Sequence, residues 1–165
     1  MIASILVALC ALSPTTSPYA GEETRPVKSL SQEQIDGLLN ARGMGLAKAA
    51  DLNGYPGPMH VLQLKDPLEL SAEQLRQTQR AFDEMKSRAT ELGRAIVRRE
   101  RELDEAFAQR TIDDASLHEM VNEIGRLNGE LRATHLRAHL RMREVLTPRQ
   151  ILRYDELRGY RTRDR

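Results

Sequence analysis

Leu70-Ser71-Ala72-Glu73-Gln74-Leu75 returns, slightly altered, as Leu146-Thr147-Pro148-Arg149-Gln150-Ile151. Each stretch reads as a complete helix start. The Ser71 or Thr147 hydroxyl is placed to accept the backbone N–H three residues on, and Gln74 or Gln150 to reach back to the N–H of the cap. The apolar residue before the cap and the one four positions after it form a hydrophobic staple. Pro148 suits the first helical position, where its missing N–H costs nothing. A third copy, Leu30-Ser31-x-x-Gln34-Ile35, opens an earlier helix.

Between the two outer boxes the apolar residues recur every three or four positions. One seam reads Leu75, Thr78, Phe82, Met85, Ala89, Leu92, Ile96, Leu103 and Phe107, which predicts a helix from Ser71 to about Ala108. After a turn at Thr111 to Asp113 a second seam runs through Leu117, Met120, Ile124, Leu127, Leu131, Thr134, Ala138, Met142 and Val145. A turn that short sets the two helices antiparallel. Thr147 opens a last helix to about Leu157, closed by Gly159. Upstream, Ser31 starts a helix expected to reach Leu52, weakened by Gly37, Gly43 and Gly45. Asn53-Gly54-Tyr55-Pro56-Gly57-Pro58 breaks the chain, and His60 to Leu64 is expected to form a short helical turn.

The expected fold is therefore all-α. A long antiparallel hairpin carries an additional N-terminal helix and a short C-terminal one. Leu136 and Leu140 lie nearly opposite the seam, and a second apolar stripe needs a second partner. An intertwined homodimer of two hairpins is the simplest arrangement that supplies one.

Residues 1–20 carry no charged side chain, and the apolar run Ile2 to Leu12 has the form of a secretory signal peptide. It is too short to span a bilayer. Removal of this segment takes away Cys10, the only cysteine, so the mature chain forms no disulfide. The expected organisation is a signal peptide over 1–20, then a leader, N-terminal helix and Pro/Gly-rich linker over 21–58, then the hairpin domain with an Arg-rich tail over 59–165. No transmembrane segment is expected in the mature chain. A formal net charge of +1 gives no global argument for nucleic acid. The basic clusters have no interleaved aromatics, so nucleic acid is not expected as a partner.

Two Leu-Ser/Thr-x-x-Gln boxes bracketing a long hairpin resemble the Spy/CpxP family of periplasmic helical-hairpin proteins. The resemblance covers about residues 59–157. The segment Gly43 to Ala50 with Asn53 to Pro58 is similar to an N-terminal signature of one branch. The resemblance implies a periplasmic, ATP-independent chaperone or envelope-stress protein, acting as a curved homodimer. Its expected partners are unfolded envelope proteins or a membrane sensor protein. The same superfamily includes the heavy-metal sensor and resistance proteins ZraP and CnrX, which implies an alternative role in sensing or buffering divalent metals.

His135 and His139 are one helical turn apart, which puts both imidazoles on one face within reach of one metal ion. Met142 would add a soft ligand. Zinc, nickel or copper would suit such a set, although no cofactor is expected to be required. The plainer alternative is two histidines packed at the edge of the seam. For a client-holding surface the candidates are Leu136 and Leu140, edged by Arg94, Arg98, Arg137 and Arg141; the alternative is a solvated charged face laced with glutamates. His60 is the one histidine of the N-terminal half. There is no nucleophile elbow, phosphate-binding glycine loop or His-Glu zinc-protease pattern, so catalysis is not expected.

Overall fold

The computed structural model describes residues 16–161; Cys10, most of the expected signal peptide and the last four residues of the Arg-rich tail lie outside this range. The described residues form six helices and no strand: α1 (Gln32–Leu39), α2 (Lys48–Asp51), α3 (Pro58–Gln63), α4 (Ala72–Ala108), α5 (Asp114–Val145) and α6 (Pro148–Leu157). All three expected boxes close as drawn from sequence. Ser31, Ser71 and Thr147 each accept from the backbone N–H of the glutamine three residues on, and each glutamine answers the cap N–H. Asp113 and Ser116 build a fourth box at the start of α5.

The α4 and α5 seams face one another. Ala89, Leu92, Ile96, Leu127 and Leu131 form one core with Val27, Ile35 and Leu38 from the N-terminal segment. A second core near the open end gathers Val61, Leu68, Ala81, Met142, Leu146, Ile151 and Tyr154. Thr78 and Thr134 sit in the seam without penalty, because each hydroxyl donates to the carbonyl four residues back, at 2.7 and 2.8 Å.

The expected single helix from Ser31 to Leu52 is instead two. The chain leaves α1 at Asn40, Gly45 takes a φ of 77°, and α2 spans only Lys48–Asp51. The fold-back lays Met44 against Gly37. Gly93 of α4 lets α1 sit closely: a methyl group there would lie 2.6 Å from the Leu38 carbonyl carbon and nearer still to its oxygen. Thus α1 rests backbone-on-helix against the hairpin, an approach only glycine permits.

The two outer boxes meet at the open end. The Gln74 and Gln150 side-chain amides exchange hydrogen bonds, Nε2 to Oε1 at 2.8 Å and 3.0 Å. Gln74 Nε2 also donates to the Val145 carbonyl at 2.9 Å, and Gln150 Nε2 to the Leu68 carbonyl at 3.0 Å. The glutamines that start two helices therefore also join those helices to each other.

Candidate functional site

The Asn53–Pro58 break is fastened to the hairpin rather than left free. Arg143 on α5 donates to the Gly54 carbonyl at 2.9 Å and stacks over the Tyr55 ring at 5.2 Å. Tyr154 on α6 is fully buried; its hydroxyl donates to Asp51 at 2.8 Å and accepts from the Gly57 N–H at 3.4 Å. Tyr160 donates to the other oxygen of Asp51 at 2.6 Å. Burial, followed by the bond to Asp51, pushes the Tyr154 hydroxyl well above the ordinary range for tyrosine. This network fixes where the backbone from Asp51 to Pro58 lies against α5.

His139 occupies that junction. Its Nδ1 lies 2.7 Å from the Tyr55 carbonyl oxygen. A carbonyl only accepts, so Nδ1 carries the proton and the Nε2 lone pair is free. The ring packs against Gly57, where a side chain would start 3.1 Å from Nε2. His60, on the first turn of α3, has its Cδ2 within 3.8 Å of the same point. The His60 Nδ1 is 3.0 Å from the Gln63 side-chain oxygen, which again leaves Nε2 free.

His135 lies one turn before His139 and is only 5 % exposed. Its Nε2 is buried and has no hydrogen-bond partner. Burial, with a smaller contribution from a charge on His139, holds its pKa below that of a free histidine. A buried imidazole nitrogen without a partner is costly. Among the described residues, no three of His, Cys, Asp or Glu already form a metal-holding group. Met142 is fully buried in the second core, among Val61, Leu146 and Tyr154. His118 is exposed near the tip, 3.9 Å from Asp114.

The arginines do not gather in one place. The exposed Arg88–Glu130 ion pair, 3.0 Å, bridges α4 and α5 partway along the hairpin. Arg94 and Arg98 lie on the tip side of it and Arg137 and Arg141 on the other, roughly 20 Å apart at about 1.5 Å per residue. The groove beside Arg94 and Arg98 is also lined by Glu91, Glu123 and Glu130, so its charge is mixed. Leu136 is half-buried and Leu140 is 53 % exposed, without a covering element within the described chain.

Sequence reasoning singled out His135 and His139 but gave His60 no part. The missed signal was the break itself: a Tyr-Pro-Gly-Pro segment places a helix start, and a histidine in that first turn, wherever its carbonyls are anchored.

The family model for heavy-metal resistance matches residues 38–153. No curated protein and no solved structure matches the chain. The matched region runs from the end of α1 into α6 and takes in the hairpin, both outer boxes, His60, His135 and His139. The chain belongs to the heavy-metal resistance family.

Proposed function

We propose that this protein is an exported, non-catalytic hairpin protein of the Spy/CpxP type that responds to a divalent transition metal in the periplasm, as a homodimer. His135 and His139 are the metal-binding pair. The observation that carries this reading is the fixed tautomer of His139. Its Nδ1 proton is committed to the Tyr55 carbonyl, the arrangement that orients a histidine for metal ligation through Nε2. One turn away, the unpartnered Nε2 of His135 gains from any cation that reaches it. Imidazole ligands suit zinc, nickel and copper. Calorimetric titration of the purified protein with each of these ions tests the reading. A His135→Ala, His139→Ala variant is expected to lose the high-affinity phase. Wild-type affinity in that variant would remove the pair from consideration.

A second reading is favoured by the tip of the hairpin. Phe107 is 54 % exposed and Val121 49 %, with Leu103, Ile112, Leu117 and Met120 only partly covered. This surface suits weak capture of unfolded envelope proteins, with Arg94 and Arg98 nearby for early electrostatic contact. Stoichiometric protein is then expected to slow aggregation of a denatured client without ATP. A Phe107→Ser, Val121→Ser variant should lose that protection, and unchanged client aggregation with the wild type would end this reading.

A further inference from the structure

We infer that two copies of this chain pair through the outer face of α5, antiparallel about a two-fold axis between residues 132 and 133. The inference rests on the homodimer in the reading above and gives it a surface, a register and a strength.

Three observations converge. First, α5 turns a stripe of small and apolar residues away from its seam. At about 100° per residue, Gly125, Gly129, Leu136 and Leu140 fall within about 60° of one another, nearly opposite Ile124, Leu131 and Ala138. Leu140 is 53 % exposed, and a methyl group at either glycine would meet nothing within 4 Å. Second, the stripe complements itself. The two leucines are one helical turn apart, and so are the two glycines. Turned antiparallel, a second α5 sets its Leu136 over Gly129 and its Leu140 over Gly125, and the same two contacts recur across the axis. Third, charge divides at the middle of the helix. Residues 114–130 hold Asp114, Glu119, Glu123 and Glu130 against Arg126 alone, a net charge of −3 with histidine neutral. Residues 131–145 hold Arg132, Arg137, Arg141 and Arg143 against Glu144, a net charge of +3. An antiparallel pair lays each acidic half along the other copy's basic half, whereas a parallel pair sets like on like.

Arg132 lies beside the axis; its stem covers Ala133 of the second copy while its guanidinium stays in water. The linker, tied to His139 and Arg143, flanks the C-terminal end of the stripe and leaves Leu140 open. About 26 residues of each α5 overlap in this register, a contact roughly 40 Å long and 12 Å wide, which hides on the order of 900 Å² across both copies. Complexes below about 1,200 Å² are weak, so the expected Kd is on the order of 10–100 μM. At the low micromolar concentration of a thermal melt the chain is then largely monomeric, and alanine at Gly125 or Gly129 reads helix stability alone.

Sedimentation equilibrium of the purified protein, from low to high micromolar concentration, tests this. The wild type should dimerise, and less tightly as salt is raised. Gly125→Gln, Gly129→Gln fills both notches with side chains that a lone α5 accommodates in open space. It should weaken association by at least about tenfold, with a monomer melt equal to the wild type or higher. Arg137→Glu, Arg141→Glu makes both halves of α5 acidic and should weaken association most at low salt. In a Cys10→Ser background, Ala133→Cys places a thiol beside the axis and should form a disulfide between copies under mild oxidation; Gln79→Cys, on α4, should not. If the wild type stays monomeric throughout, the homodimer and this inference both fall, while the metal reading of His135 and His139 is untouched. If the wild type dimerises and the glutamine variant does so equally well, or Ala133→Cys fails to cross-link, the copies meet on another face and this inference alone falls.

Discussion

The seat of α1 on Gly93 can be tested by one substitution made at three places. In Gly93→Ala the added methyl meets the Leu38 backbone, which cannot rotate aside as a side chain would. To restore ordinary contact, α1 must retreat on the order of 1 Å, and a gap of that size forfeits about a quarter to a half of the contact attraction across it. Val27, Ile35 and Leu38 are the buried apolar groups this segment contributes. At about 1.5–3 kcal/mol each when fully buried, losing that fraction costs roughly 1–4 kcal/mol. Replacing a helical glycine by alanine returns about 1 kcal/mol. The net expectation is a loss of up to about 3 kcal/mol, or a fall in Tm of up to roughly 10 °C. At Gly125 and Gly129 of α5 an added methyl meets nothing within 4 Å. There the same substitution should stabilise by about 0.5–1 kcal/mol, raising Tm by roughly 2–4 °C. Thermal melts followed by circular dichroism read all three. A Gly93→Ala protein stabilised as much as the Gly125 and Gly129 variants would refute the backbone-on-helix docking of α1, and equal losses at all three sites would refute the steric reasoning.

Gln74→Ala and Gln150→Ala should each destabilise by about 1–3 kcal/mol, since each strips a cap and an inter-helix bond. In urea denaturation the double variant should lose at least about 0.5 kcal/mol less than the sum, and strict additivity would show that the amides do not act as a pair. Tyr154→Phe leaves the Gly57 N–H without its partner and should cost about 1–3 kcal/mol; an unchanged midpoint would remove this tyrosine as the clamp on the linker. In metal-free buffer, stability should fall as pH drops through the free-histidine value of about 6.5, because the unfolded chain takes up a proton that buried His135 resists. Above that value the contribution is complete, and a His135→Gln variant should show a flatter profile between pH 5 and 7.

The hairpin was legible because its signals are local. Capping boxes and a seam repeated over many turns specify helices whatever surrounds them, and a short turn leaves one way to pack. The path from α1 to α3 was not, because there the deciding contacts are distant in sequence. Nothing near Gly93 announces that Leu38 will rest on it. Nothing near Asn53 announces that Arg143 and His139 will hold the Gly54 and Tyr55 carbonyls. For the site, the spacing of His135 and His139 was visible in the letters. The free Nε2 of His139 depends on a carbonyl 84 residues away, and the nearness of His60 depends on Gly57 lacking a side chain. These are properties of the folded chain. The arginine clusters show the converse: similar in letters, they stand at different levels of the hairpin and do not act as one edge.

The Gln74–Gln150 exchange also restricts how this hairpin can change length. Each glutamine sits at the start of its own helix, so the two meet only when the path out along α4 is matched to the path back through the turn and α5. Removing residues from one arm alone would slide the amides past each other and rotate the seam away from its partner. Matched removal of seven residues from each arm keeps both alignments, since the apolar repeat is about 3.5 residues per turn. The paired amides thus act as a gauge of matched arms. They permit a family of hairpins, longer or shorter in equal steps, that share one junction and differ only in reach.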